Sequence, residues 1–60
     1  MQCFVIRNSE DGGTVVAAGD EAHCREFMQE LSIKISAKYN AESGIIVTEE
    51  YVYELQLGLD

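Results

Sequence analysis

The side chains in this chain that could do chemistry are one histidine, two cysteines and several neighbouring carboxylates. His23 precedes Cys24, but adjacent residues of a helix point about 100° apart, so His23 is badly placed to activate the Cys24 thiol. One histidine and two cysteines without paired-ligand spacing fall short of a closed zinc site unless a carboxylate or a second subunit completes it. The sequence therefore predicts neither thiol catalysis nor a bound metal, and we expect no cofactor.

Adjacent acids occur at Glu10–Asp11, Asp20–Glu21 and Glu49–Glu50, as composition alone predicts for a chain with eleven acidic residues. The glycine-rich segment after Glu10 lacks the alternating oxygen ligands and the closing glutamate of a calcium loop. Hydrolysis by two acids needs a cleft, which a chain this short rarely forms. The sequence also contains no phosphate-binding glycine loop, dinucleotide fingerprint or Cys-x-x-Cys motif. We therefore predict that the protein is not an enzyme.

The formal net charge is -7, and the only basic residues are Arg7, Arg25, Lys34 and Lys38. Binding to a phosphate backbone or an acidic membrane needs clustered lysine and arginine, so the composition disfavours both partners. It favours a larger protein with a basic surface, whose approach would be accelerated at low salt. The alternative is that the charge serves only solubility.

The cellular location follows from what the sequence lacks. No apolar run approaches the roughly 18 residues that span a bilayer. The opening MQCFVIRN has no basic flank, long apolar core or cleavage site of a secretory signal. We therefore expect a cytoplasmic protein in which Cys3 and Cys24 are buried, reduced thiols. The alternative is a disulfide between these two cysteines.

The clearest element is a helix predicted over Asp20–Asn40, because apolar residues recur there at helical spacing. Asp20 is placed to cap the first turn, and Asn40 is a residue that can close a helix. The predicted core-facing stripe consists of Cys24, Phe27, Met28, Leu31, Ile35 and Tyr39.

The opposite face of this helix carries an apolar residue, Ile33, next to Ala37 and flanked by Glu26 and Glu30. A single exposed isoleucine is ordinary and needs no functional explanation. The functional alternative is that these residues form part of a surface that binds a partner.

Strands are predicted on both sides of the helix. Gln2–Asn8 and Thr14–Ala18 form a hairpin around a turn at residues 9–13, where the Asp-Gly and Gly-Gly steps permit positive φ angles. After a connector at residues 41–44, Gly44–Leu57 reads as strand, with Ile45, Val47, Tyr51, Tyr53, Leu55 and Leu57 sharing one parity. Glu49–Glu50 breaks the phase, so one long strand or two short ones both fit. The absence of glycine or asparagine there favours one continuous or bulged strand.

These elements predict a single α+β domain over residues 1–60, with a ββαβ or ββαββ order and the helix packed on one face of an antiparallel sheet. One helix covers one face only. Either Phe4 with Ile6, or Cys3 with Val5, must then face away from the helix, as must one of Val15 and Val16. We expect this second, apolar face to form a homodimer or a docking surface.

The resulting functional prediction is a small, acidic, non-enzymatic module that binds a basic surface of a larger protein, such as a nucleic-acid-binding surface, as an inhibitor or adaptor. In size and charge the chain resembles small phage-encoded inhibitors of host defence systems, including anti-CRISPR proteins, which implies the host-cell cytoplasm. The alternative is a homodimeric structural or assembly module. The predicted protein-binding residues are Glu10, Asp11, Glu26, Glu30, Ile33, Glu49, Glu50, Tyr51 and Tyr53.

Overall fold

A five-stranded antiparallel sheet with one helix on one face makes up the computed structural model, which describes residues 2–58. The elements are β1 (Cys3–Ser9), β2 (Gly12–Gly19), α1 (Glu21–Lys34), β3 (Tyr39–Asn40), β4 (Ile45–Val47) and β5 (Val52–Leu57). The strands lie in the order β2-β1-β5-β4-β3. The predicted α+β class and one-sided helix are confirmed, whereas both ends of the predicted domain, residues 1 and 59–60, lie outside the described residues.

The first hairpin forms as predicted. Its tip is Glu10–Asp11, and Gly12 directly after it has a φ of +126°, a value that glycine adopts without strain. The Ser9 hydroxyl closes the turn by accepting from the Asp11 amide and donating to the Gly12 carbonyl, each at 3.3 Å. A bulge opposite Val5 and Ile6 interrupts the register between the two strands.

The helix begins where the sequence predicts. The Asp20 carboxylate accepts from the His23 amide at 2.8 Å and so satisfies one of the free donors of the first turn. Glu21 adds a negative charge at this end of the helix, where the helix dipole stabilises it.

The predicted end of the helix at Asn40 is wrong, because the helix stops at Lys34. Ser36 adopts a left-handed conformation with φ of +53°, and its amide donates to Ile33 while the Ala37 amide donates to Ser32. This is the hydrogen-bond pattern of a Schellman cap, which usually contains glycine at the position that serine occupies here.

The segment beyond the cap leaves the helix altogether. Tyr39 and Asn40 form β3, a strand that the sequence did not predict and that pairs with Ile46 and Ile45. Ile35, predicted to face the core from the helix, is 38% exposed.

The C-terminal segment forms the predicted alternative of two short strands rather than the preferred continuous or bulged strand, because β4 and β5 are separate strands of a hairpin. The Thr48 hydroxyl accepts from the Tyr51 amide and donates to the Tyr51 carbonyl, both at 2.9 Å, and the Thr48 amide also donates to that carbonyl. A side chain thus completes the turn around Glu49–Glu50, which needs neither glycine nor asparagine.

This hairpin reverses the predicted parity of β4. Ile46 pairs with Tyr53, so even-numbered residues of β4 share a face with odd-numbered residues of β5. Ile46 is fully buried, whereas Ile45 and Val47, predicted to share the face of Tyr53, point to the other side of the sheet.

The core lies between the helix and one face of the sheet. Cys24 and Met28 of the predicted stripe are fully buried, and Phe27 and Leu31 pack beside them. The buried core residues are Cys3, Val5, Cys24, Met28, Ile46 and Tyr53.

The two thiols are free and buried, as predicted. Burial, with smaller contributions from Cys3 and the Asp20 carboxylate, raises the pKa of Cys24. The protonated thiol is therefore favoured more strongly in the folded chain than in the unfolded one, where a cysteine ionises near pH 8.5.

We expect the raised pKa of Cys24 to stabilise the fold, with the full contribution present below about pH 8.5. This contribution should be lost as the pH rises toward the raised pKa, and the free energy of unfolding should fall by at most about 1.4 kcal/mol per pH unit. Urea unfolding across this range measures the slope. The Cys24→Ala variant should show a shallower decline, and parallel slopes for the two proteins would contradict the assignment.

A second prediction concerns the β4–β5 turn. Replacing Thr48 by valine keeps the side-chain shape but removes both hydroxyl hydrogen bonds, so we expect the free energy of unfolding to fall by about 1–2 kcal/mol. Thr14→Val, at an exposed strand position, is the matched control and should change stability by less than about 0.5 kcal/mol. Equal effects of the two substitutions in urea unfolding would show that the Thr48 hydroxyl does not hold the turn.

Candidate protein-binding surfaces

Two acidic hairpin tips meet at one end of the sheet. Because β1 and β5 are antiparallel neighbours with Asn8 opposite Val52, the end of β1 and the start of β5 lie side by side. Glu10 from the first tip therefore lines one shallow groove with Glu49 and Glu50 from the second. We call the four exposed carboxylates at this place the acidic end; its members are Glu10, Asp11, Glu49 and Glu50.

An aromatic pair lies next to the acidic end. The Tyr51 ring is 6.0 Å from that of Tyr53, and the Arg7 guanidinium carbon is 4.7 Å from the Tyr51 ring centroid. Tyr51 is half-buried and borders the groove, so it remains a candidate contact. Tyr53 is 8% exposed and belongs to the core, which leaves it too little surface to serve as the predicted anchor.

The predicted helix residues lie elsewhere. Glu26 and Glu30 are exposed and flank Phe27 on one side of the helix. Ile33 is 76% exposed, as predicted, but it lines a separate groove whose charged residues are Arg25 and Lys38. Ile33 thus borders a groove whose charged lining is basic, and neither this groove nor the one at Phe27 includes a residue of the acidic end.

The second face of the sheet is a surface that the candidate residue set did not include. Cys3 and Val5 point to the helix, which leaves Phe4 and Ile6 on the other side. The bulge places Val15 on that side too, with 55% exposure. We call this surface the open sheet face; its apolar residues are Phe4, Ile6, Val15, Ile45, Val47 and Val52.

One carboxylate lies in the middle of the open sheet face. Glu54 on β5 is directly opposite Ile6 on β1 and Ile45 on β4. Its Oε2 accepts a hydrogen bond from the side-chain Nδ2 of Asn8, and its Oε1 accepts one from the side-chain Nε2 of Gln56, each at 3.2 Å. The register that sets Glu54 between two isoleucines comes only from long-range pairing.

Within residues 2–58, no three histidine, cysteine, aspartate or glutamate side chains are grouped so that they could hold a metal ion. None of the helices described is long and apolar enough to cross a membrane.

Comparison of the chain with known protein families, curated proteins and solved structures finds no match. A proposal for its function therefore rests on the geometry, exposure and charge of its own residues.

The proximity of the two tips can be tested by a double-mutant cycle. We expect Glu10→Gln and Glu49→Gln to be coupled by about 0.3 kcal/mol in unfolding experiments at low salt, because each neutralisation relieves repulsion from the other carboxylate. This coupling should disappear in 1 M salt, where the Debye length is about 3 Å.

The control cycle combines Glu10→Gln with Glu42→Gln, in the turn at the other end of β4. This pair should behave additively. Additive behaviour of Glu10 with Glu49 as well would show that the two tips do not form one charged surface.

Proposed function

We propose that this protein is a small non-enzymatic binding module that docks on a basic surface of a larger protein and acts there as an inhibitor or adaptor. The observation that supports this proposal is the acidic end, where two hairpin tips far apart in the chain bring Glu10 together with Glu49 and Glu50. Four carboxylates at one end of a chain with a net charge of -7 form a directional negative surface.

Such a surface complements clustered lysine and arginine. Its charge would speed the approach of a basic partner and orient the complex, with an effect that weakens as salt rises. Tyr51 beside the groove supplies an aromatic side chain, a residue type enriched at the centres of protein interfaces. The acidic groups would contribute mainly orientation and rate, and Tyr51 would contribute affinity.

The partner class that we favour is a protein whose basic surface binds nucleic acid. Carboxylates on two turns can occupy places that phosphates take in such a site, and they would then block it. A phage inhibitor of a host defence complex, acting in the host cytoplasm, is one instance of this class.

A second candidate function rests on the open sheet face. Val15 and Val47 are 55% and 66% exposed there, and an apolar surface of this kind can bury itself against a second copy of the chain. In that case the protein is a homodimeric assembly module. Light scattering on a sizing column tests this second candidate, because it requires a dimer, whereas docking through the acidic end does not.

The acidic end is tested by affinity capture with two charge-matched variants. One carries lysine at Glu10, Glu49 and Glu50, and the other carries lysine at Glu26, Glu30 and Glu42, which lie outside the acidic end. Captured proteins are quantified from cell extract at low and high salt. We expect the first variant to retain at least about tenfold less of a basic partner than the wild type at low salt.

The second variant serves as the control because both variants have the same net charge. It should retain most of the partner, since the loss expected is one of position rather than of total charge. Equal losses would reduce the effect to net charge, and a loss confined to the second variant would move the interface to the helix.

A further inference from the structure

We propose that the open sheet face is a second docking surface, and that its occupant is a protein segment presenting one arginine between apolar side chains, with the guanidinium paired to Glu54. This inference rests on the proposed function only in requiring a protein partner, since it uses a different surface from the acidic end.

The open sheet face has no cover from its own chain among residues 2–58. The helix packs on the other side, against Cys3, Val5 and Ile46. Val15 and Val47 mark the two sides of the open face, and Ile6 lies between them on β1. A surface of this composition gains free energy when a partner removes it from water.

Glu54 restricts which partner can do so. It is half-buried, and its two direct cross-strand neighbours are Ile6 and Ile45. A purely apolar partner would strip water from this carboxylate without replacing the lost hydrogen bonds, which is strongly unfavourable. A partner that covers the face must therefore supply hydrogen-bond donors to Glu54, and a cationic side chain supplies them together with the compensating charge.

The hydrogen bonds already present favour arginine over lysine. A carboxylate offers about four acceptor positions, two on each oxygen. Asn8 uses one on Oε2 and Gln56 uses one on Oε1. Each oxygen keeps a free position, and two parallel acceptors match the planar fork of a guanidinium.

The missing side chain at Gly13 makes room for Asn8 beside Glu54. Asn8 lies opposite Gly13 on β2, and a Cβ at Gly13 would lie 2.7 Å from the Asn8 Oδ1 and 3.3 Å from the Ile6 Cγ2. Because Gly13 has no side chain, the Asn8 side chain fits there with its Nδ2 directed at Glu54. We infer that Asn8 is a positioning residue that holds the carboxylate for an incoming cation.

The charges disfavour a second copy of this chain as the occupant. Arg7 lies over Tyr51, and Arg25 is paired with Glu21 at 2.9 Å on the helix. Lys38 reaches the edge of the open face beside Ile45 and Val47, away from its centre. Two open faces stacked about Glu54 would oppose two carboxylates, so a cationic partner is the better complement.

The experiment uses a displayed library of short random peptides, selected on the full chain and counter-selected on Glu54→Gln. We expect the enriched peptides to carry one arginine flanked by apolar residues. Titration calorimetry should show at least about tenfold weaker binding to Glu54→Gln, because the charged hydrogen bonds are lost. Replacing the peptide arginine by lysine should weaken binding to the wild type severalfold.

Two further variants separate this inference from the proposed function. Glu10→Gln with Glu49→Gln and Glu50→Gln should bind the peptides as the wild type does, because the acidic end is not involved. Asn8→Ala should bind them less well and should discriminate less between arginine and lysine, an effect that a general loss of stability would not produce. Amide spectra confirm that each variant is folded.

The inference is overturned if no peptide is enriched, if the enriched peptides lack arginine, or if they bind Glu54→Gln as tightly as the wild type. A homodimer that covers Phe4, Ile6 and Val47, detected by light scattering and by dilution-dependent amide shifts, would also overturn it. The capture experiment on the acidic end stands apart from these outcomes, because it uses neither Glu54 nor the peptides.

Discussion

A single helix can bury only one face of a five-stranded sheet, and the rest of this structure follows from that constraint. The helix stripe around Cys24 and Met28 packs against Cys3, Val5, Ile46 and Tyr53, and this layer is the core of residues 2–58. A chain of about 60 residues buries only about 60% of the surface that its unfolded form exposes. Apolar residues of the other face therefore stay in contact with water, where a partner protein can reach them.

The position of β5 in the middle of the sheet connects the two candidate surfaces. Its pairing with β1 brings the tips at Glu10 and Glu49 to the same end of the sheet, and its pairing with β4 sets Glu54 between Ile6 and Ile45. Both surfaces thus depend on the pairing of β1 with β5, whose partner residues are more than forty positions apart in the sequence. Any change that unpaired β5 would remove the acidic end and the open sheet face together.

The two surfaces differ in how they treat charge. At the acidic end the carboxylates are exposed, so water and salt screen them, and in the proposed complex they would act mainly on encounter and orientation. On the open sheet face a single half-buried carboxylate is held by Asn8 and Gln56 among isoleucines. A partner that covered Glu54 without replacing its lost water would bind less favourably, so the role that we propose for Glu54 is selectivity rather than long-range attraction.

Local sequence determined the helix start at Asp20, the first hairpin, the burial of both cysteines and the α+β class, because caps, glycine turns and periodicity act over a few residues. Local sequence did not predict the end of the helix, because Ser36 adopts the left-handed conformation that glycine usually adopts at this position. The reversal at Thr48 rests on local hydrogen bonds to Tyr51, although threonine is not a usual turn signal. Only tertiary structure decided the parity of β4 and the placement of Glu54. The physical reason is that strand register is set by hydrogen bonds and side-chain packing between distant segments, which no local pattern of residues contains.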